Sequence, residues 1–165
     1  MEEDRHTMAF KHNDGDTCHN NTVTLHDCIV DKIEYFDGYL RFYLPDGLWV
    51  NPNHKDSTLD KTVRTNPAVV DFKAEDIDDI TVTVFIRKRF GRSRVEYWDM
   101  HELMEAVNSG ICKLEFVYQY RACFEQLWQC SIRSKKKPYY RDCQLHLPGT
   151  EAVYRWNDLI PEWEW

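Results

Sequence analysis

Apolar and polar positions alternate in a strand-like way along most of the chain. The pattern is clearest over residues 25–50, LHDCIVDKIEYFDGYLRFYLPDGLWV. Asp37-Gly38 stands between two such runs, and Asp-Gly favours a two-residue type I′ turn because both central residues need positive φ. Closing that turn sets the register. Phe36 faces Tyr39, Tyr35 faces Leu40, Glu34 faces Arg41, Ile33 faces Phe42 and Lys32 faces Tyr43. Side chains alternate faces along a strand, so Tyr35/Leu40 and Ile33/Phe42 fall on one face and Glu34/Arg41 and Lys32/Tyr43 on the other. A one-residue slip scrambles this sorting. Pro45-Asp46-Gly47 predicts a second turn before the apolar run Leu48-Trp49-Val50.

The same reading extends along the chain. Val23–Leu25, Thr62–Thr65 and Ala68–Phe72 are short β-like runs, and Asn66-Pro67 points to an edge strand or a break. In Ile80–Phe90, Val82, Val84 and Ile86 share a face opposite Thr81, Thr83, Phe85 and Arg87. Gly91-Arg92-Ser93 returns the chain into Arg94–Trp98. Two registers fit: a Gly91-Arg92 turn opposing Ile86 to Tyr97 and Arg87 to Glu96, or an Arg92-Ser93 turn opposing Phe90 to Val95 and Arg89 to Glu96. Asp99–Asn108 predicts a helix, with Asp99 and Glu102 as a capping pair and Asn108-Ser109-Gly110 as the stop. Ile111–Arg121 is a strand with Leu114, Phe116, Tyr118 and Tyr120 on one face. Phe124–Ser134 fits either period and is read as a strand, because Lys135–Pro138 then forms a hairpin tip. Tyr139–Leu147 returns, Pro148-Gly149 turns, and Glu151–Trp156 is the last short strand. The fold class is α+β and mainly antiparallel β: a meander, partly closed barrel or sandwich with one short helix packed on it. Residues 1–165 form a single domain, with a loose arm at 1–21 and an acidic, aromatic tail at 157–165.

Charge and cysteines narrow the function classes. Net charge is −7, with 8 Lys and Arg against 17 Asp and Glu in residues 1–82 and 13 against 11 beyond. That balance opposes nucleic acid, and the acidic first half attracts a basic protein partner. Asp76, Asp78 and Asp79, with Trp163 and Trp165 in the tail, are the residues expected at such an interface. Two basic patches, Arg87/Lys88/Arg89/Arg92/Arg94 and Arg133/Lys135/Lys136/Lys137/Arg141, flank hairpin tips and are read as guards of exposed strand ends. MEEDRHTMAF has no apolar core of a signal peptide, and no run is long enough to cross a membrane, so a cytoplasmic protein without membrane contact is expected. The six cysteines are then reduced, with Cys112, Cys123 and Cys130 as small core residues.

The candidate chemistry is sparse. His12, Asp14, Asp16, Cys18, His19, His26 and Cys28 have metal-ligating side chains without metal-site spacing, so no metal or cofactor is expected. His26-Asp27-Cys28 has the residue types of a nucleophile and base, with His26 and Cys28 on one strand face. No nucleophile elbow, phosphate loop or dinucleotide fingerprint accompanies it.

The run LHDCIVDKIEYFDGYLRFYLPDG resembles the opening of small β-rich bacterial proteins, with a His-Asp-small residue triplet followed by strand, turn and strand. Some of those families are similar to immunity proteins of polymorphic-toxin systems. The resemblance implies a cytosolic binding protein without chemistry of its own. A non-catalytic protein-binding module is therefore the first expectation. A cupped sheet or barrel holding a small apolar ligand is the alternative, and a Cys/His enzyme comes third.

Overall fold

The computed structural model describes residues 8–14, 22–87 and 91–164. In chain order the elements are β1 (Phe10–Asp14), β2 (Val23–Thr24), β3 (Cys28–Val30), β4 (Lys32–Phe36), β5 (Tyr39–Leu44), β6 (Trp49–Val50), β7 (Val63–Thr65), β8 (Ala68–Lys73), a 3₁₀ turn (Ile77–Asp79), β9 (Thr81–Ile86), β10 (Arg94–Trp98), α1 (Met100–Asn108), β11 (Cys112–Arg121), β12 (Glu125–Ser134), β13 (Tyr140–Pro148), β14 (Ala152–Trp156) and β15 (Leu159–Glu164). They form three sheets, none closed into a barrel: β1-β14-β8-β5-β4, β10-β9-β13-β12-β11-β3 and β15-β7-β6-β2. Among the described residues no helix is long and apolar enough to cross a membrane.

The two larger sheets face each other across an aromatic core. Phe42 and Phe72 come from one, Phe116 and Trp128 from the other, and all four are buried. The Phe116 and Trp128 rings meet edge to face at 4.9 Å, and Phe42 meets Phe116 at 5.3 Å. Full burial of each such side chain contributes roughly 1.5–3 kcal/mol. Among the described residues these four rings fill the space between the two sheets at this point. One row across the inner face of the six-stranded sheet runs Cys28, Phe116, Cys130, Cys143, Val84, so these cysteines serve as small core residues. Cys112 is buried as expected, whereas Cys123 lies exposed just beyond the end of β11.

The β4–β5 hairpin has all five expected pairs, with Asp37 at φ 49° and Gly38 at 75°. At the next turn Gly47 has φ 76°, and a Cβ there would lie 2.1 Å from the Thr65 carbonyl oxygen, so only glycine fits. Helix α1 carries the expected capping box, Asp99 accepting from the Glu102 N–H and the Glu102 carboxylate accepting from the Asp99 N–H. It buries Met100, Leu103 and Val107 against β4, β9 and β11.

The break expected at Asn66-Pro67 is present: it separates β7 from β8, which lie in different sheets, and β8 runs between β14 and β5 and not at an edge. Three local expectations are corrected. The 1–21 arm contains β1, paired with β14, while residues 1–7 and 15–21 lie outside the described residues. The tail contains β15, which pairs with β7 through Leu159 and Ile160. The β9–β10 hairpin takes neither expected register: Ile86 opposes Arg94 and Val84 opposes Glu96, across a connection of residues 87–93. Pairing of β9 with β13 on its other side sets Val82 and Val84 inward, and β10 must follow with Trp98 and Glu96 on that face.

Candidate functional site

Among the described residues no element covers the outer face of the six-stranded sheet, and β11 explains its character. Leu114 and Phe116 point into the core, but the β11–β12 register shifts between Phe116 and Tyr118. Val117 is the extra residue of a β-bulge, and a bulge redirects every side chain beyond it. Tyr118 and Tyr120, expected beside Leu114 and Phe116, therefore project outward. A row crosses the outer face from Tyr97 through Thr83, Gln144 and Gln129 to Tyr118. Parallel rows hold Val95, Phe85, Asp142, Ser131 and Glu115 on one side, and Thr81, His146, Leu127 and Tyr120 on the other. Tyr97 is 77% exposed, Tyr118 57%, Tyr120 58% and Tyr140 68%, with Phe124 at 86% beside them. Uncovered aromatic rings in this number make the face a candidate interaction surface.

The charges on this face are largely neutralised within the chain. Arg87 pairs with Asp142 at 2.6 Å, the Arg133 Nε donates to Glu115 at 2.7 Å, and His146 meets Glu125 at 2.7 Å. Gln144 donates to Gln129 at 3.3 Å in the central row.

The triplet His26-Asp27-Cys28 holds the bulge. The His26 Nδ1–H donates to the Val117 carbonyl at 2.5 Å, and the Asp27 N–H donates to the Phe116 carbonyl at 2.8 Å. The His26 ring also lies against Tyr118, centroids 5.4 Å apart. Asp27 sits at φ 57° in the turn between them. Cys28 is fully buried and its Sγ–H points to the His26 carbonyl at 3.7 Å. Burial pushes the Cys28 thiol up to about 12, against the opposing pull of the Arg64 guanidinium. A thiol so placed stays protonated near neutral pH, the opposite of an activated nucleophile.

The remaining candidates disperse. Asp76, Asp78 and Asp79 lie exposed in the 3₁₀ turn before β9, Asp76 capping it by accepting from the Asp78 N–H at 2.9 Å. Trp163 on β15 lies over the Arg64 guanidinium at 5.9 Å, and Trp49 lies on it at 4.8 Å. Trp165, Asp16, Cys18 and His19 lie outside the described residues, as does the Asp14 side chain. His12 meets His54 edge to face at the β1 edge of the other large sheet, and no three metal-ligating side chains converge among the described residues. A shallow groove of about 300 Å³ runs past Asp31, Val107, Ile111, Cys112, Lys113 and Arg133, at the lower end of ligand-pocket sizes.

The described members of the two basic patches, far apart in sequence, share one end of the sheet. β9 lies beside β13, so Arg87, Arg92 and Arg94 lie at the same end as Lys113 and the tip that holds Lys135, Lys136 and Lys137. The strand order, not any local pattern, makes this one cluster.

No protein-family model, curated protein or solved structure matches this chain.

Proposed function

We propose that the chain is a non-catalytic protein-binding module that docks its partner on the open face of the six-stranded sheet. The observation that carries this reading is the row from Tyr97 to Tyr118, exposed aromatics at both ends of a charge-compensated sheet surface. Tyrosine supplies contact area at low entropic cost, and depletion of uncompensated charge is the mark of an interface centre. Nucleic acid instead needs unpaired cations across the contact surface, whereas here Arg87 and Arg133 are held by carboxylates. The buried, protonated thiol of Cys28 supports a role without nucleophilic chemistry. The resemblance of LHDCIVDKIEYFDGYLRFYLPDG to immunity-type proteins points the same way, and the exposed acids Asp76, Asp78 and Asp79 suit a basic region on the partner.

The test is capture of binding proteins by the wild-type chain and by the Tyr97→Ala/Tyr118→Ala double variant, at low and moderate salt. The expected result is a protein retained by the wild type, weakened by salt and reduced at least tenfold by the double variant. Equal retention by both forms would remove the face from the interface.

A further inference from the structure

We infer that the partner which covers this face is a second copy of the chain, related by a two-fold axis running along the Tyr97–Tyr118 row. This rests on the reading of the face as a protein-binding surface and names its occupant.

The inference comes from the polarity of the sheet. One end carries Arg92, Lys113, Lys135, Lys136 and Lys137, all exposed and without an ion pair among the described residues. The opposite end, where β9 and β12 begin, carries exposed Asp76, Asp78, Asp79 and Glu125. Between them lie the compensated rows and the tyrosines. A complementary partner must therefore present acid at one end, cations at the other and an aromatic middle. The chain's own face, turned half a revolution about an axis in its plane and across its strands, presents that arrangement.

The geometry can be followed strand by strand. Rotation about the central row lays each strand over its own copy, reversed in direction. Tyr97 and Tyr118 then meet their own counterparts. Arg92 falls over Asp76, Asp78 and Asp79 in the turn before the copy's β9. Lys135, Lys136 and Lys137 fall over Glu125 and the bare ring of Phe124. Glu115 falls over Tyr120, and the Lys113–Arg133 row falls over the copy's Glu125 row, one row beyond it. A two-fold about an axis along the strands would stack like charges and is disfavoured. Such an interface is isologous and closes on itself, which fits a soluble dimer and not a filament. Strands about 4.8 Å apart and up to ten residues long give a face on the order of 600 Å², near the ~800 Å² per partner of a standard interface.

Sedimentation velocity on the wild-type chain, over a hundredfold range of concentration and at two salt concentrations, tests this. A reversible dimer that weakens with salt is expected. Two charge-reversed forms sharpen the test, Arg92→Glu/Lys135→Glu/Lys136→Glu and Asp78→Lys/Asp79→Lys/Glu125→Lys, each checked for native circular dichroism. Every position is exposed, so the fold should survive. Each alone should weaken dimerisation at least tenfold, and the equimolar mixture should recover it as a heterodimer. A wild-type chain that stays monomeric throughout overturns the inference, while a foreign protein bound through Tyr97 and Tyr118 would leave the broader reading intact. A dimer unaffected by Tyr97→Glu/Tyr118→Glu also overturns it, because the contact then lies elsewhere.

Discussion

The Nδ1–H of His26 donates to the carbonyl of Val117, 91 residues away in sequence, and Val117 is the extra residue of the bulge in β11. A bulge leaves a carbonyl outside the ladder, and a buried unpaired carbonyl is costly. The histidine satisfies that carbonyl and so favours the bulge that turns Tyr118 and Tyr120 outward. His26→Ala should destabilise the chain by about 1–3 kcal/mol. The change should also raise amide exchange around Val117 and Tyr118 before other parts of β11. Urea unfolding and hydrogen exchange check the two effects, and an unchanged exchange pattern at the bulge would show that His26 does not hold it.

A second long-range contact closes the edge of the other large sheet. In the last turn of α1 the Asn108 side chain accepts from the Ile33 N–H and donates to the Ile33 carbonyl, both at 2.8 Å. The amide thus stands in for a neighbouring strand on the outer side of β4, which ends its sheet. Asn108→Ala leaves both groups unpaired and should cost roughly 1–3 kcal/mol. Asn108→Asp keeps the acceptor and loses the donor, so it should fall between wild type and alanine above the carboxylate pKa. Denaturant midpoints at neutral pH order the three proteins. An aspartate variant less stable than alanine would show that the Ile33 carbonyl, facing a carboxylate, dominates.

These two contacts show which parts of the molecule were legible beforehand. The Lys32–Tyr43 hairpin and the Asp99 capping box are set by residues within a few positions of each other, so turn and cap chemistry reveals them. The outward turn of Tyr118 and Tyr120 follows from the bulge at Val117, whose side-chain partner His26 is 91 residues away, and period-two counting through Val117 carried both tyrosines to the wrong face. The β9–β10 register escaped for a similar reason, since β13 sets it from the other side. β1 is polar and β15 contains Pro161, so neither has an apolar alternation to detect, and each exists through its neighbour. The joined basic end and the open face required the order β10-β9-β13-β12, which no short stretch encodes. His26, Asp27 and Cys28 were singled out for chemistry, and the structure gives them an architectural task beside the face instead.

The outer face of the five-stranded sheet holds a buried ionic cluster. Asp71 accepts from the Arg41 Nε at 2.6 Å and Nη2 at 2.8 Å, and Arg155 donates to its second oxygen. Arg41 and Asp71 are almost wholly buried, and the Phe36 ring lies over the Arg41 guanidinium at 4.6 Å. Asp71 holds the Arg41 guanidinium firmly in its charged form. Asp71→Asn removes the one carboxylate shared by both arginines, and breaking a buried pair costs about 3–5 kcal/mol. Arg155→Lys keeps the charge and should cost far less. Thermal unfolding of both variants tests the ranking. Equal losses would mean that geometry at Arg155, not charge at Asp71, governs the cluster.

His54 makes stability depend on pH. Its ring is buried against His12 and Trp156, its Nδ1 accepts from the Asp56 N–H at 3.1 Å, and its Nε2 meets the His12 Nδ1 at 3.2 Å. Since Nδ1 accepts a backbone N–H, the proton of the neutral ring sits on Nε2 and is donated to His12. Protonation would place a second proton at Nδ1, facing the Asp56 N–H. Burial, followed by repulsion between His54 and His12 in their protonated forms, lowers the His54 pKa, and the Asp56 carboxylate 3.8 Å away offsets this only in part, with Lys55 opposing it. The folded chain therefore keeps His54 neutral at a pH where the unfolded chain binds a proton. The stabilisation is complete above the unfolded value near 6.5 and is lost as pH falls from there through the folded value. Urea midpoints should fall between pH 7.5 and pH 5.5 for the wild type. His54→Phe, which keeps a ring against Trp156 without a titrating group, should be less stable at neutral pH and flatter across that window. A variant as steep as the wild type would place the pH dependence on another group.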